Sequence, residues 1–228
     1  ASEKVNLFTS LNYRDFNFDM TGIGNRQNFY PDTTSFIDQN MSNTMERDGY
    51  SFKAGMDYNF SDNTSLTISG RAGNFSFGRS GSTRIETYTM PASEREYQLS
   101  STSFDIAHDY YNLNLDFQNK FNDKGHKLDA SLNYSFAESN DNNSFGQFQA
   151  NAEWDKLNND PYKQSTHEVS DENDLQMKLD YVLPLSTGKL EAGYQGRYEQ
   201  SDQQYELERY VNGQWNTDEA YNNEVKYN

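Results

Sequence analysis

Apolar residues fall on every second position in seven separate segments of this 228-residue chain. In residues 50–60 the even positions are apolar, and the odd positions are polar or glycine. Successive side chains of a β-strand point to opposite faces, so this pattern predicts a strand with one apolar and one polar face. None of the segments shows the three- and four-residue spacing of an amphipathic helix. The other six alternations cover residues 5–13, 66–72, 111–121, 128–136, 175–183 and 190–198.

The predicted strands are long, and the connections between them alternate in length. Most alternations run for about nine to eleven residues, the length of a tilted membrane-spanning strand, whereas strands of soluble proteins average about five or six. Short turns are predicted at 61–63, 122–126 and 184–189, and long loops near 19–48, 76–109, 138–174 and 199–224. Short turns at one end and long loops at the other are typical of outer-membrane barrels. The predicted fold class is therefore an all-β, antiparallel, up-and-down transmembrane β-barrel.

The negative charge of the chain lies in the predicted loops. The chain carries 35 Asp and Glu against 19 Lys and Arg, a formal charge of −16. The segments 19–48, 76–109, 138–174 and 199–228 carry −3, −2, −7 and −5, and all remaining residues together carry +1. A band embedded in lipid is expected to carry little net charge. The acidic balance also argues against binding to nucleic-acid phosphates, and the absence of Cys excludes disulfides and thiolate metal sites.

Aromatic residues make up 15% of a chain that is only 33% hydrophobic, and they concentrate near the ends of the predicted strands. Tyr and Trp favour the membrane interface because an apolar ring and a polar tip are both satisfied there. The alternative is that these rings fill the core of a soluble β-sandwich. We predict twelve membrane-interface aromatics: Tyr50, Phe52, Tyr58, Phe60, Tyr111, Phe117, Phe121, Tyr134, Phe136, Tyr181, Tyr194 and Tyr198.

Two of the alternations change phase toward the long-loop end. After Tyr13 the next apolar residues are Phe16 and Phe18, and a similar change follows Ala72. A β-bulge, for which Gly73 is well placed, would exchange the two faces in this way. The alternative is that the strands leave the membrane at this point and continue upward as hairpins under different constraints.

The number of clear strands is odd, which does not suit a complete barrel. An eighth strand could lie within residues 205–215, where Asn212-Gly213 is a turn signal, and another alternation begins at Val225 and Tyr227. We expect residues 1–228 to form a single β-barrel segment, about seven or eight strands of a larger barrel.

Several strand-like stretches carry a resemblance to a known family. They are KVNLF at residues 4–8, YSFKAGMDY at 50–58 with SDNTSL at 61–66, GHKL at 125–128 and LEAGY at 190–194. These stretches resemble the outer-membrane β-barrels of TonB-dependent receptors of the Bacteroidetes type. In that family a plug domain sits inside a barrel of about 22 strands, and an inner-membrane complex supplies the energy for uptake.

The resemblance implies a middle section of such a barrel, without a plug domain and without the closing C-terminal strand. It implies a location in the bacterial outer membrane and outer-membrane lipid as a partner. It further implies an energy-coupling complex that acts through the plug, and a nutrient ligand that a surface lipoprotein helps to present.

Few residues suggest chemistry of their own. His108, His126 and His167 show no metal-ligand or triad spacing, and no nucleophile elbow or phosphate-binding loop occurs. The acidic segment 138–174 could hold Ca²⁺, but it matches no twelve-residue calcium loop. Trp154 and Trp215 are candidate ligand contacts in the loops, and they could equally pack one loop against another. We predict no catalytic residue, no cofactor site and no enzymatic activity.

Three functions remain open at this point. The first is part of an outer-membrane receptor or transporter barrel whose loops contribute to ligand capture and uptake. The second is a soluble or surface-exposed β-sheet module that binds glycans, with the aromatic residues in its core. The third is a barrel enzyme with carboxylates on its loops, because paired carboxylates can hydrolyse glycosides. Dependence on detergent separates the first from the second.

Overall fold

The computed structural model describes residues 4–91, 94–157 and 161–227, which form one antiparallel sheet. Seven strands are long, and two short strands follow them at the C-terminal side. The strands are β1 (Val5–Phe29), β2 (Thr34–Ser61), β3 (Thr64–Met90), β4 (Arg95–Lys120), β5 (Lys127–Ala150), β6 (Tyr162–Leu185), β7 (Gly188–Val211), β8 (Gln214–Thr217) and β9 (Asn223–Tyr227).

Each of the first seven strands pairs with the next one along the chain, as in an up-and-down meander, and β9 pairs with β7. The sheet is open, because within the described residues β1 pairs only with β2. The short turns predicted at 61–63, 122–126 and 184–189 all connect paired strands at one end of the sheet. The predicted fold class, all-β and antiparallel with up-and-down order, is confirmed.

The eighth position of the sheet is shared by two short strands. β7 continues to Val211, and the Asn212-Gly213 turn that follows has positive φ at both residues, 52° and 82°. β8 pairs with the end of β7, and β9 pairs with β7 further down. Between them the Asn222 side chain accepts a hydrogen bond from the Leu207 amide at 2.8 Å. The predicted turn is confirmed, whereas residues 205–211 belong to β7 rather than to an eighth strand.

The predicted long loops are wrong, because most of their residues continue the flanking strands. The connections at that end are only residues 30–33, 91–94 and 151–161, and residues 199–224 contain the end of β7, β8 and the start of β9. The reason is that a strand outside lipid no longer needs an apolar face, while pairing with its neighbour still satisfies its backbone. The parts of the predicted loops at 92–93 and 158–160, like residues 1–3 and 228, lie outside the described residues.

The phase changes are not caused by a bulge. The β1–β2 pairing keeps one register from Val5 to Phe29, and the β2–β3 pairing shifts only between Asn59 and Ser61. Gly73 lies opposite Ser51 in an unbroken ladder, so the suggested bulge at this glycine is wrong. The alternative, hairpins that continue upward with their faces exchanged, is the arrangement observed.

The sheet has almost no core of its own. Of the hydrophobic residues that the structure describes, only Ala150 and Leu207 are buried. A soluble β-sandwich needs two sheets that bury their inner faces against each other, and the described strands form a single layer. The described residues contain no helix that could cross a membrane.

Candidate functional site

The strand register places apolar residues side by side on one face of the sheet, which we call the band face. Its central row contains no aromatic residue and consists of Leu7, Met56, Ile68, Leu115, Leu132, Met177 and Gly196. From Phe60 to Tyr50 the apolar rows span ten residue steps of β2, about 34 Å along a strand. At a strand tilt of about 40° this is about 26 Å of height, which matches the apolar band of an outer-membrane barrel.

All twelve predicted interface aromatics lie on the band face. Tyr58, Phe117 and Tyr194 lie one row below the centre, and Phe60, Phe121 and Tyr181 lie at the lower edge of the band, beside the short turns. The upper edge holds Tyr50, Phe52, Tyr111 and Phe136, and Tyr134 and Tyr198 lie one row above the centre. Two aromatic edges around an aliphatic centre agree with the predicted interface role, which stays a prediction.

One aromatic cluster at the lower edge is tied together by a hydrogen bond. His126 and the hydroxyl of Tyr181 are 2.8 Å apart, and the ring of Phe121 lies 4.2 Å from that of His126. His126 therefore links the turn after β4 to β6. The other two histidines lie apart, since His108 contacts Tyr110 and His167 bonds Asn142.

The opposite face of the sheet is polar at the level of the band. Eight charged residues that occupy polar positions of the alternating segments share this face: Lys53, Asp57, Asp116, Lys120, Lys178, Asp180, Glu191 and Arg197. Toward β6 and β7 these charges are paired, with Lys178 2.8 Å from Asp180 and Arg197 2.9 Å from Glu199. Arg197 also pairs with Asp174, which is buried.

Above the band the polarity of the two faces is exchanged. In the row of Tyr50, β4–β7 already carry four carboxylates directly opposite one another, Asp109, Glu138, Asp171 and Asp202, so the band ends one row lower there than on β1 and β2. Lys226 of β9 is opposite the last of them. The next rows of the band face are also acidic, with Asp15 opposite Asp48. The band face is thus apolar within the band and acidic above it.

On β1–β4 the opposite face carries rings and cations, both in the upper half of the band and above it. We call this area the cationic surface. It extends from the row of Phe8 to the row of Gln98 and contains no Asp or Glu. Its cations, all exposed, are Arg14, Arg47, Lys53, Arg71 and Arg79, and its rings are Phe8, Phe16, Phe18, Phe75, Phe77, Phe104, His108 and Tyr110.

Two rings of the cationic surface lie beneath its arginines. Arg47 lies over Phe75 at 4.7 Å from the ring centre, and Arg71 lies over Tyr110 at 5.4 Å. Within the described residues none of the five cations forms an ion pair. Lys53 and Arg71 are even direct cross-strand partners, a placement of like charges that destabilises a sheet.

A shallow cavity of about 140 Å³ opens in the cationic surface between Arg14, Arg47, Phe75 and Tyr110. Gly49 lies at its floor, and a Cβ atom there would be 2.8 Å from the Asn74 carbonyl oxygen. The side chain of Tyr110 can lie across β3 only because residue 73 is glycine, since a Cβ there would be 2.5 Å from its hydroxyl.

The two tryptophans both pack against strand residues near the tips of the hairpins. The ring of Trp154 lies 5.3 Å from that of Tyr97 and beneath Arg84, and the ring of Trp215 lies 5.5 Å from that of Tyr210. Trp154 is half-buried and Trp215 is 46% exposed. The two lie on different hairpins, and their predicted role as ligand contacts stays a prediction.

Charged groups at the hairpin tips show no arrangement for metal binding. The described residues contain no group of three or more His, Asp or Glu that could hold a metal ion. Within the segment suggested for Ca²⁺, residues 138–150 belong to β5 and residues 162–174 to β6. At the neighbouring tip, the Glu86 carboxylate accepts a hydrogen bond from Arg95 and raises the pKa of that guanidinium.

Sequence reasoning did not find the cationic surface, because its cations are far apart in the chain and join only through the strand register. The one available signal was the phase change after Tyr13 and after Ala72, which marks the point where apolar residues cross to the other face.

Comparison with known proteins supports the membrane interpretation. Residues 119–228 match the model of a family described as the outer membrane protein β-barrel family. A search of curated proteins gave no match. The similarity to that family confirms the predicted location, the bacterial outer membrane, and agrees with an antiparallel β-sheet that carries an apolar band about as tall as a membrane.

Proposed function

We propose that this chain forms part of the barrel wall of an outer-membrane receptor or transporter of the TonB-dependent type. The apolar band meets lipid, the opposite face lines the lumen, and the hairpins above the band contribute to ligand capture. The observation that carries the proposal is the exchange of faces above the band. A wall that leaves lipid needs a hydrated outer surface, and rings and cations on its inner side are then available to a solute.

The charges of the opposite face support this orientation. Ion pairs such as Lys178–Asp180 lie at the depth where the band face is fully apolar. Charged side chains at membrane depth are tolerated when they face a barrel interior and pair with one another. The soluble glycan-binding alternative would need a covered apolar face, and the described single-layer sheet offers no second layer.

The free edges of the sheet belong to the proposal as well. A strand edge exposed to lipid would leave backbone groups without partners, so we propose that further strands pair with β1 and with β8–β9. The expected partners are outer-membrane lipid, a plug domain that connects to an energy-coupling complex, a nutrient ligand and a surface lipoprotein. The proposal assigns no catalysis, no metal and no cofactor to the chain.

Single cysteines can test the orientation of the faces, because the chain has no native cysteine. In intact outer membranes a water-soluble maleimide should label Gln176→Cys on the opposite face and leave Met177→Cys in the central row unlabelled. Above the band it should label Ala107→Cys, although this residue shares the band face. Labelling of both Gln176→Cys and Met177→Cys would contradict a lipid-facing band.

Energy dependence tests the receptor function itself. Cells with and without the full-length protein are compared for uptake of a panel of labelled oligosaccharides, peptides and iron chelates. A proton ionophore should abolish any uptake that requires the protein. The purified full-length protein should conduct few ions in a planar bilayer, because a plug fills the lumen. Uptake that survives the ionophore, together with high conductance, would instead identify an open porin.

A further inference from the structure

The cationic surface contains no acidic residue that could balance its five cations, which points to an anionic partner. The chain has 35 acidic residues, yet none lies on this face of β1–β4 between the rows of Phe8 and Gln98. The arginines also follow a geometric pattern. Arg47 is the diagonal cross-strand neighbour of Arg14, and Arg79 is the diagonal cross-strand neighbour of Arg47. The backbone positions of each such pair lie about 7–8 Å apart.

Like charges this close cost stability unless an anion lies between them. Lys53 directly opposite Arg71 adds a second uncompensated pair at the lower end of the surface. On β7 of the same face, Arg197 is instead neutralised within the chain by Asp174 and Glu199. Guanidinium groups bind carboxylate and sulfate oxygens with two parallel hydrogen bonds, so arginines without an ion pair are suited to such groups. Arg79 donates one hydrogen bond to the Asn43 side chain at 3.3 Å, which leaves its other N–H groups for a ligand.

The shape and the rings of the surface narrow the class of anion. From Arg71 to Arg79 the cations extend over eight residue steps of β3, about 27 Å, which is longer than a compact small molecule. Half-buried rings lie between them, with Phe77 and Phe104 6.2 Å apart. Such rings present apolar faces to flat or ring-shaped groups.

We propose that the cationic surface binds a linear acidic oligosaccharide, whose carboxylate or sulfate groups pair with Arg14, Arg47 and Arg79 while its sugar rings lie on the neighbouring phenylalanines. This deepens the proposed function and rests on it, because the opposite face must line a solvent-filled vestibule to be reached. Binding can be measured without uptake, so the two proposals can fail separately.

The test measures binding of oligogalacturonate to the purified full-length protein in detergent by calorimetry. A neutral malto-oligosaccharide and an oligoglutamate of similar length serve as comparison probes. We expect oligogalacturonate to bind, and each of Arg47→Gln and Arg79→Gln to weaken its affinity about tenfold or more, the effect of losing one charge-assisted hydrogen bond. Phe77→Leu should weaken oligogalacturonate binding, because it removes a ring and keeps an apolar side chain.

The matched control is Arg84→Gln, because Arg84 is also an unpaired arginine of β3 that lies over a ring, but on the band face. The Arg84→Gln variant should bind oligogalacturonate with the affinity of the wild type. Heat-shifted migration in gels should show that all variants fold. Absence of oligogalacturonate binding by the folded wild type would overturn the proposal. So would equal binding of the neutral probe, equal binding of oligoglutamate, or an equal loss in Arg84→Gln.

Discussion

At the scale of single residues, glycine decides where side chains of the opposite face can lie flat against the sheet. Gly49 separates Arg14 from Phe75 in one row, and Gly73 leaves room for the Tyr110 ring. At both positions a Cβ atom would come too close to neighbouring atoms, whereas the backbone angles are ordinary. The ring of Phe8 uses Gly55 in the same way, since a Cβ atom there would be 2.3 Å from its Cζ atom.

Replacement of Gly49 by alanine should therefore destabilise the sheet. The added Cβ would lie 2.8 Å from the Asn74 oxygen and 3.3 Å from the Phe75 Cα, both backbone atoms that cannot rotate away. We expect a loss of about 1–3 kcal/mol in the free energy of unfolding, typical of overpacking. The control is Gly70→Ala, whose Cβ would meet only the Asn112 oxygen at 3.8 Å. Urea unfolding in lipid vesicles measures both, and equal stabilities would contradict the argument.

At the scale of whole strands, the sequence predicted the part that lies in the band and misassigned the part above it. A strand with one face in lipid carries an apolar residue at every second position, so the alternation in residues 50–60 predicts a strand. Residues 34–48 lie in the same strand, but water on both sides removes that demand, and their Asn, Ser and Asp are equally common in loops. The cationic surface could not be predicted either. Arg14, Arg47 and Arg79 are neighbours only because of the strand register, and above the band no apolar alternation indicates that register.

The alternation of β4 gives a direct test of which face meets lipid. Leu115 occupies the central row of the band, and Asn114 points to the opposite face. Leu115→Lys should lower the free energy of unfolding in lipid vesicles by about 2–4 kcal/mol, the cost of a lysine at the bilayer midplane. Asn114→Lys adds the same charge one residue away and diagonally beside Arg71, so it should lower the free energy of unfolding by less than about 1 kcal/mol. Similar losses in both variants would mean that the band face does not contact lipid.

At the scale of the whole molecule, the charge of −16 is distributed between faces as well as along the chain. Above the band the acidic residues collect on the band face, whereas the opposite face of β1–β4 is cationic. Two surfaces of opposite sign on a single layer of strands suit a wall with different environments on its two sides. In the proposed orientation the outer side borders a headgroup layer, and the inner side attracts anions.

The row of four carboxylates above the band should make stability depend on ionic strength. Asp171 has Glu138 directly opposite on one side and Asp202 on the other, and like charges in such pairs cost about 0.2–1 kcal/mol each at low salt. Because salt screens this repulsion, raising the ionic strength should increase the free energy of unfolding of the wild type in vesicles of neutral lipid. Asp171→Asn should be more stable than the wild type at low salt and should respond less to added salt. The control is Asp62→Asn, which removes the same charge from a turn and should leave the salt dependence of the unfolding free energy unchanged. If this control also responds less to salt, the effect comes from the net charge and not from the carboxylate row.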